Sequence, residues 1–145
     1  MKHSNITTDN TEFILISFEG PDCYSTAGGL GVRVQNLART LADTGFVTHV
    51  FFIGDPDLPG EESLDDGKLI LHRWCQWISK YHPGGVYDGE EGKLADFNGS
   101  IPGFVTERVA KPAIDKGKLV VILGEEWQTA EVMCRISDKL YDAGV

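Results

Sequence analysis

The stretch Cys23–Gly45, CYSTAGGLGVRVQNLARTLADTG, decides how this chain is read. Glycines at Gly28, Gly29 and Gly31 form a loop that runs straight into an amphipathic helix. Leu30, Val34, Leu37, Ala38 and Leu41 recur at helical spacing and give that helix one apolar face. Gly45 supplies a left-handed stop. Glycines let a ligand approach the backbone, and the free N–H groups and positive dipole end of a helix favour an anion. The simpler reading is a tight turn with no ligand.

Working outward, Phe13–Phe18 (FILISF) is a nearly all-apolar run, as expected of a strand buried on both faces. Val47–Ile53 (VTHVFFI) reads as a second strand, closed by the turn-rich GDPDLPG. Lys68–His72 reads as a short third strand and Lys118–Leu123 (KLVVIL) as a buried fourth. Between them, Arg73–Phe97 holds Trp74, Trp77, Tyr81 and Tyr87 among Pro83, glycines and the acidic DGEEG. It predicts a short helix or turn near Trp74–Lys80 and then a long loop, a feature that is often functional. Asn98 or Ser100 is expected to cap a helix with Pro102 in its first turn, kinked or shortened by Pro112. A last helix is expected over Gln128–Ala143, with Ala130, Met133, Ile136, Leu140 and Tyr141 on one face. This order predicts an α/β fold, a Rossmann-like parallel sheet with helices on both faces. Residues 1–12 read as a flexible polar start and 13–145 as the domain.

Composition removes several function classes. A length of 145 residues fits one domain with its own core. A net charge of −9 argues against nucleic acid or anionic lipid as the main partner. No apolar run approaches the roughly 20 residues of a membrane span, and MKHSNITTDN lacks the apolar core of a signal peptide. Cys23, Cys75 and Cys134 are odd in number and far apart, which fits free thiols in the cytoplasm. None has metal-ligand spacing with a histidine, so no metal is expected.

The dinucleotide fingerprint fails, because Val32, Arg33 and Val34 follow Gly31. The phosphate-loop pattern fails for want of Gly-Lys-Ser/Thr. A second candidate, GEEWQTAEV at Gly124–Val132, follows the buried fourth strand at the same sheet edge. Glu125 and Glu126 suit sugar hydroxyls and Trp127 suits stacking; the alternative is that the acids only favour the helix start and Trp127 is core. The aromatic loop, Trp74–Tyr87, reads either as an acceptor site or as a small hydrophobic cluster. His72, at a strand end, is expected to face the cleft, whereas His49 reads as structural and His82 as a surface residue. Cys23 has no neighbouring histidine in sequence to activate it.

Together the two motifs resemble those of glycogen-synthase-like retaining glycosyltransferases. AGGLGVRVQNLARTLADTGFVTHVFF (Ala27–Phe52) is similar to that family's Gly-Gly-Leu-Gly turn, helix and second strand. LVVILGEEWQTAEV (Leu119–Val132) is similar to its buried strand followed by His-Asp-Trp-x-Thr-Ala. The resemblance covers most of the chain from Phe13, except Asp55–Phe97. It implies the N-terminal, acceptor-side half of a two-domain GT-B fold, with a nucleotide-sugar as co-substrate and a carbohydrate or other acceptor. It implies further that a C-terminal donor-binding domain is needed, and that the chain alone is inactive. Gly28 and Gly29 would approach the diphosphate or transferred sugar, with Leu30, Thr26, Trp127 and His72 also on the substrate side. Glu125 and Glu126 fall on the family's histidine and aspartate and become the catalytic candidates. Thr26 stands where the family often has lysine, and a carboxylate at Glu125 cannot act as that histidine does. No metal is needed, since helix N-termini and basic residues stabilise a leaving diphosphate.

Two rivals stay open at this point. One is a stand-alone nucleotide- or sugar-binding module. The other is a Rossmann-type epimerase or oxidoreductase fragment, with Asp55 near the ribose-binding position. If a further crossover helix belongs to the domain, bare apolar sheet surface is expected to promote self-association.

Overall fold

The computed structural model describes residues 5–145. Its centre is a five-stranded sheet in the order β3-β4-β2-β1-β5. Strands β1 (Thr11–Ile16), β2 (Val47–Ile53), β4 (Leu69–Trp74) and β5 (Leu119–Gly124) are parallel. β3 (Glu61–Leu64) is antiparallel to β4. The fold is therefore α/β and Rossmann-like, with helices on both faces of a mostly parallel sheet.

The alternation of side chains along the strands sorts the core into two layers. On one side, α1 (Gly29–Thr44) lays Val34, Ala38 and Ala42 on Leu15, Val50, Phe52, Leu69 and Leu71. On the other, α3 (Glu90–Phe104) and α5 (Ala130–Asp142) cover Ile14, Ile16, Phe51 and Ile53 with Phe97, Ile101, Val132 and Ile136. Gly45, at φ 111°, ends α1 as expected. Tyr141, placed on the apolar face of α5 by spacing, is exposed near its end.

Several elements depart from the sequence reading. Strand β3 was not expected, because EESL is acidic, short and at an edge. Its residues are held by pairing with β4, in a hairpin whose Asp65 and Asp66 have φ of 51° and 53°. Helix α3 starts at Glu90, well before Asn98. Gly92, Gly99, Pro102 and Gly103 make this segment read as loop, and burial of Phe97, Ile101 and Val105 overrides that propensity. The helical path runs past Pro112 to Asp115. A π-helical turn over Val105–Ala110 precedes this proline and leads into α4 (Lys111–Asp115), where Pro112 sits in the first turn. The short helix expected near Trp74–Lys80 is α2 (Gln76–Ser79). The flexible start assigned to residues 1–12 gives way to β1 at Thr11, and Asn10 Oδ1 accepts the Thr7 N–H at 2.9 Å. Residues 1–4 lie outside the described residues.

Edge strand β5 is covered on one side only. Leu119 and Leu123, which share a face with Leu15 in the register, are 42% and 36% exposed. Among the described residues, no helix is long and apolar enough to cross a membrane.

His49 and His72 lie side by side on the α3 side of the sheet. His72 is 3% exposed and stacks on Phe51 with ring centroids 4.1 Å apart. Its Nε2 is 2.9 Å from His49 Nδ1, and its Nδ1 is 3.3 Å from Glu61 Oε1. Burial pushes His49 down to about 4. Burial, and then the neighbouring His49, push His72 down to about 3. Both rings fold neutral, whereas in the unfolded chain they gain protons near 6.5. Stability is therefore full above pH 6.5 and falls as the pH drops from there toward 4. At about 1.4 kcal/mol per pH unit for each proton taken up, the window removes on the order of 3 kcal/mol per ring. Urea melts across the same range should show this loss, and H72F, which keeps the stack, should make it shallower. An unchanged pH dependence in H72F would contradict the assignment.

Candidate functional site

Parallel strands of this topology deliver their following loops to one edge of the sheet. Here that edge gathers the glycine loop after β1, the aromatic loop between α2 and α3, and the segment after β5. The two sequence motifs meet directly: Arg33 Nη2 on α1 donates to Glu125 Oε2 at 2.6 Å.

The start of α1 is not empty. Glu19, three residues beyond β1 and 5% exposed, turns its carboxylate into it. Its Oε1 accepts the N–H groups of Ala27 and Gly28 at 3.0 Å each and of Gly31 at 3.2 Å. Its Oε2 accepts the Tyr87 hydroxyl at 2.6 Å. Burial alone would raise the Glu19 carboxyl, but the bonds from Tyr87, Ala27, Gly28 and Gly31 outweigh it and hold it below the usual value. Burial, with Glu19, Glu90 and Glu126 around it, pushes the Tyr87 phenol up, so it stays a neutral donor. The chain thus supplies its own anion to the helix start. A diphosphate cannot take these three N–H groups while Glu19 holds them. This feature was missed in the sequence, because a lone glutamate nine residues before a glycine carries no motif.

The glycines then separate into two kinds. A β-carbon on Gly31 would lie 3.1 Å from the Gly20 carbonyl and 3.3 Å from Glu19 Oε1, so packing demands glycine there. A β-carbon on Gly28 or Gly29 would meet nothing within 4 Å. Gly28 has extended φ of −164° and Gly29 is helical, so backbone conformation demands glycine at neither. Both are exposed and border open space. Glycine at this first helical position leaves the unfolded chain freer than alanine would, at a cost of roughly 0.4–1 kcal/mol.

Around them the other expected residues fall out as follows. Thr26 Oγ1 is spent on the turn itself, 2.9 Å from the Gly20 carbonyl and 3.0 Å from that of Asp22. Leu30 packs into the core under α1 rather than facing the cleft. His72 is buried in the sheet layer, not at the edge, because β4 runs on to Trp74. Glu125 is partly buried and paired with Arg33, while Glu126 and Trp127 are exposed, Trp127 by 64%. Trp127 is therefore not core. Glu126 has φ 67° and ψ 171°, a region favoured by glycine. Such strain costs on the order of 1–3 kcal/mol and concentrates at functional sites. It is held by Thr129, whose N–H and hydroxyl both bond the Glu126 carbonyl.

Two buried ionic anchors fix the loops. Arg73 forks onto Asp22 at 2.8 and 3.1 Å and reaches Glu62 at 2.8 Å, tying the start of the glycine loop to β4. Lys93, fully buried, donates to the Tyr24 hydroxyl and the carbonyls of Gly85 and Val86 at 2.8–3.2 Å. It thereby pins the aromatic loop, which is ordered rather than long and free. A groove of about 370 Å³ runs between the two loops, lined by Tyr24, Thr26, Ala27, Gly85 and Tyr87. Among the described residues, no cluster of three His, Cys, Asp or Glu is placed to hold a metal ion. No family model matches the chain, and neither curated proteins nor solved structures give a match.

Replacing Glu19 with alanine orphans three N–H groups and a phenol. Since a hydrogen bond to a charged group is worth about 1.5–3 kcal/mol, E19A should lose about 3 kcal/mol or more in urea unfolding, and E19Q less. The wild-type carboxylate contributes stability above the ordinary carboxylate range and loses it as pH falls through its lowered value, a component absent from E19Q. A loss in E19A below about 1 kcal/mol would show that the carboxylate does not hold the loop.

Proposed function

We propose that the chain is the acceptor-side, N-terminal half of a retaining glycosyltransferase of the glycogen-synthase-like kind. It forms one wall of a cleft in which a sugar passes from a nucleotide-sugar to a carbohydrate acceptor. The observation that carries this reading is the bare surface of Gly28 and Gly29. Neither packing nor backbone geometry asks for glycine there, yet both open onto the edge that holds Glu125, Glu126 and Trp127. Space at the backbone beside carboxylates and an exposed indole suits a sugar ring, with hydroxyls donating to the acids.

The same geometry argues against a diphosphate at this helix start. The helix N–H groups are taken by Glu19, and Arg33, the cation at this edge, is paired with Glu125. We therefore assign donor diphosphate binding to a second, C-terminal Rossmann-like domain. The half-bare row of Leu119 and Leu123 suits burial by further protein, and isolated chains should self-associate through it. Glu126, held in a strained backbone and exposed, is the stronger candidate to touch the reacting sugar; Glu125, fixed by Arg33, positions the segment. The free thiols Cys23, Cys75 and Cys134 suit a cytoplasmic setting.

Calorimetric titration with UDP- and ADP-glucose separates this reading from its rivals. The half-enzyme predicts binding no tighter than about 1 mM and no sugar transfer. It also predicts that G29A gains up to about 1 kcal/mol of stability while weakening that binding. Micromolar binding by the lone chain would instead identify a self-sufficient module, and tight binding of NAD would identify the oxidoreductase rival.

A further inference from the structure

The carboxyl end of β4 carries a second feature, outside the glycine-loop cleft. The chain passes from β4 into α2 through Cys75, at φ 58° and ψ 26°, a left-handed conformation uncommon for a residue with a side chain. Such a conformation persists only where its surroundings impose it. This turn aims the buried Cys75 thiol at Asp96 on α3, where Sγ donates to Oδ2 at 3.3 Å. Burial, and then Asp96, push the thiol pKa up, so Cys75 is a donor and not a nucleophile.

The carboxylate so oriented borders a groove of about 450 Å³ between the β4–α2 turn and α3. Trp74 and Trp77 also line it, and Trp77 is 63% exposed. Trp74 Nε1 donates to Ser100 Oγ at 2.8 Å, and that hydroxyl donates to the Asp96 carbonyl at 2.7 Å. These bonds lock the groove without using Asp96 Oδ1 or the Trp77 N–H, which have no protein partner among the described residues. Its nearby cations are committed elsewhere: Arg73 to Asp22 and Glu62, Lys93 to Tyr24 and two carbonyls.

The groove therefore offers a flat indole face, an indole donor and one free carboxylate oxygen, with no available cation. An anion would meet Asp96 uncompensated, and a purely apolar ligand would leave Oδ1 without a donor. A pyranose presents a C–H face on one side and hydroxyl donors at its rim, which fits this set. We propose that the groove binds one ring of a neutral oligosaccharide, stacked on Trp77 and donating a hydroxyl to Asp96. It lies on the same sheet edge as the glycine loop but with β2 between β4 and β1, roughly 10 Å along. The site stands independently of glycosyl transfer and of any nucleotide binding.

The test is titration of the 145-residue chain with maltotriose, cellotriose and chitotriose, following the indole N–H resonance of Trp74, which lines the same groove. At least one trisaccharide is expected to shift it saturably. W77A and D96N should each weaken that binding by about tenfold or more, and W77F, which keeps a flat ring, by less than about threefold. Because Trp77 is exposed, W77A tests the idea even if D96N disturbs the Cys75 turn. No shift with any of the three, or a shift unaffected by W77A, overturns the proposal. So does saturation by tetramethylammonium alone, which would mark the groove as a cation site.

Discussion

The carboxylate of Glu19 is the contact on which the loop-bearing edge of the sheet depends. One oxygen gathers the N–H groups of Ala27, Gly28 and Gly31, and the other holds the Tyr87 hydroxyl. A helix start normally leaves several N–H groups to water, a cap or a ligand. Here no side chain of the N-cap residue can serve, because that residue is Gly28. A carboxylate from just beyond β1 does the capping instead, and its charge also complements the helix dipole. With Glu19 in place, two loops distant in sequence share one anchor. Lys93 then fixes the aromatic loop from beneath, and the Asp22–Arg73 fork fixes the glycine loop to β4.

This internal cap changes the chemistry expected of the glycine loop. Bare N–H groups would make it a phosphate cradle. Filled by Glu19, it offers shape instead: an uncluttered backbone at Gly28 and Gly29, at the start of the helix whose Arg33 pairs with Glu125. Strain at Glu126 and the exposure of the Trp127 side chain both run against stability, and both sit at this edge. The costs concentrate where a ligand would recover them.

Much of the fold was legible in the sequence, because its signals were strong and local. FILISF, VTHVFFI and KLVVIL are long apolar runs, and the α1 stripe ends on a glycine that adopts the left-handed conformation it needs. The failures came where tertiary packing overrode local preference. EESL pairs because β4 offers an edge, and α3 forms through glycines and Pro102 because Phe97 and Ile101 are buried. At the site, the meeting of the two motifs was legible from strand topology. Neither Glu19 nor the buried Lys93 was, since each acts across more than sixty residues or through backbone groups that carry no sequence mark. His72 reads as a cleft residue because the strand run in the sequence, KLILH, stops at His72, two residues before β4 ends.

A sugar donor is expected to meet bare glycine while Glu19 keeps its N–H groups. Amide resonances of the nitrogen-15-labelled chain, followed through a nucleotide-sugar titration, report this directly. Gly29 is expected to shift together with the Trp127 indole, while Ala27, Gly28 and Gly31 stay fixed on Glu19. Shifts centred on Ala27 and Gly31, with Tyr87 released, would mean that phosphate displaces the carboxylate and would contradict the account.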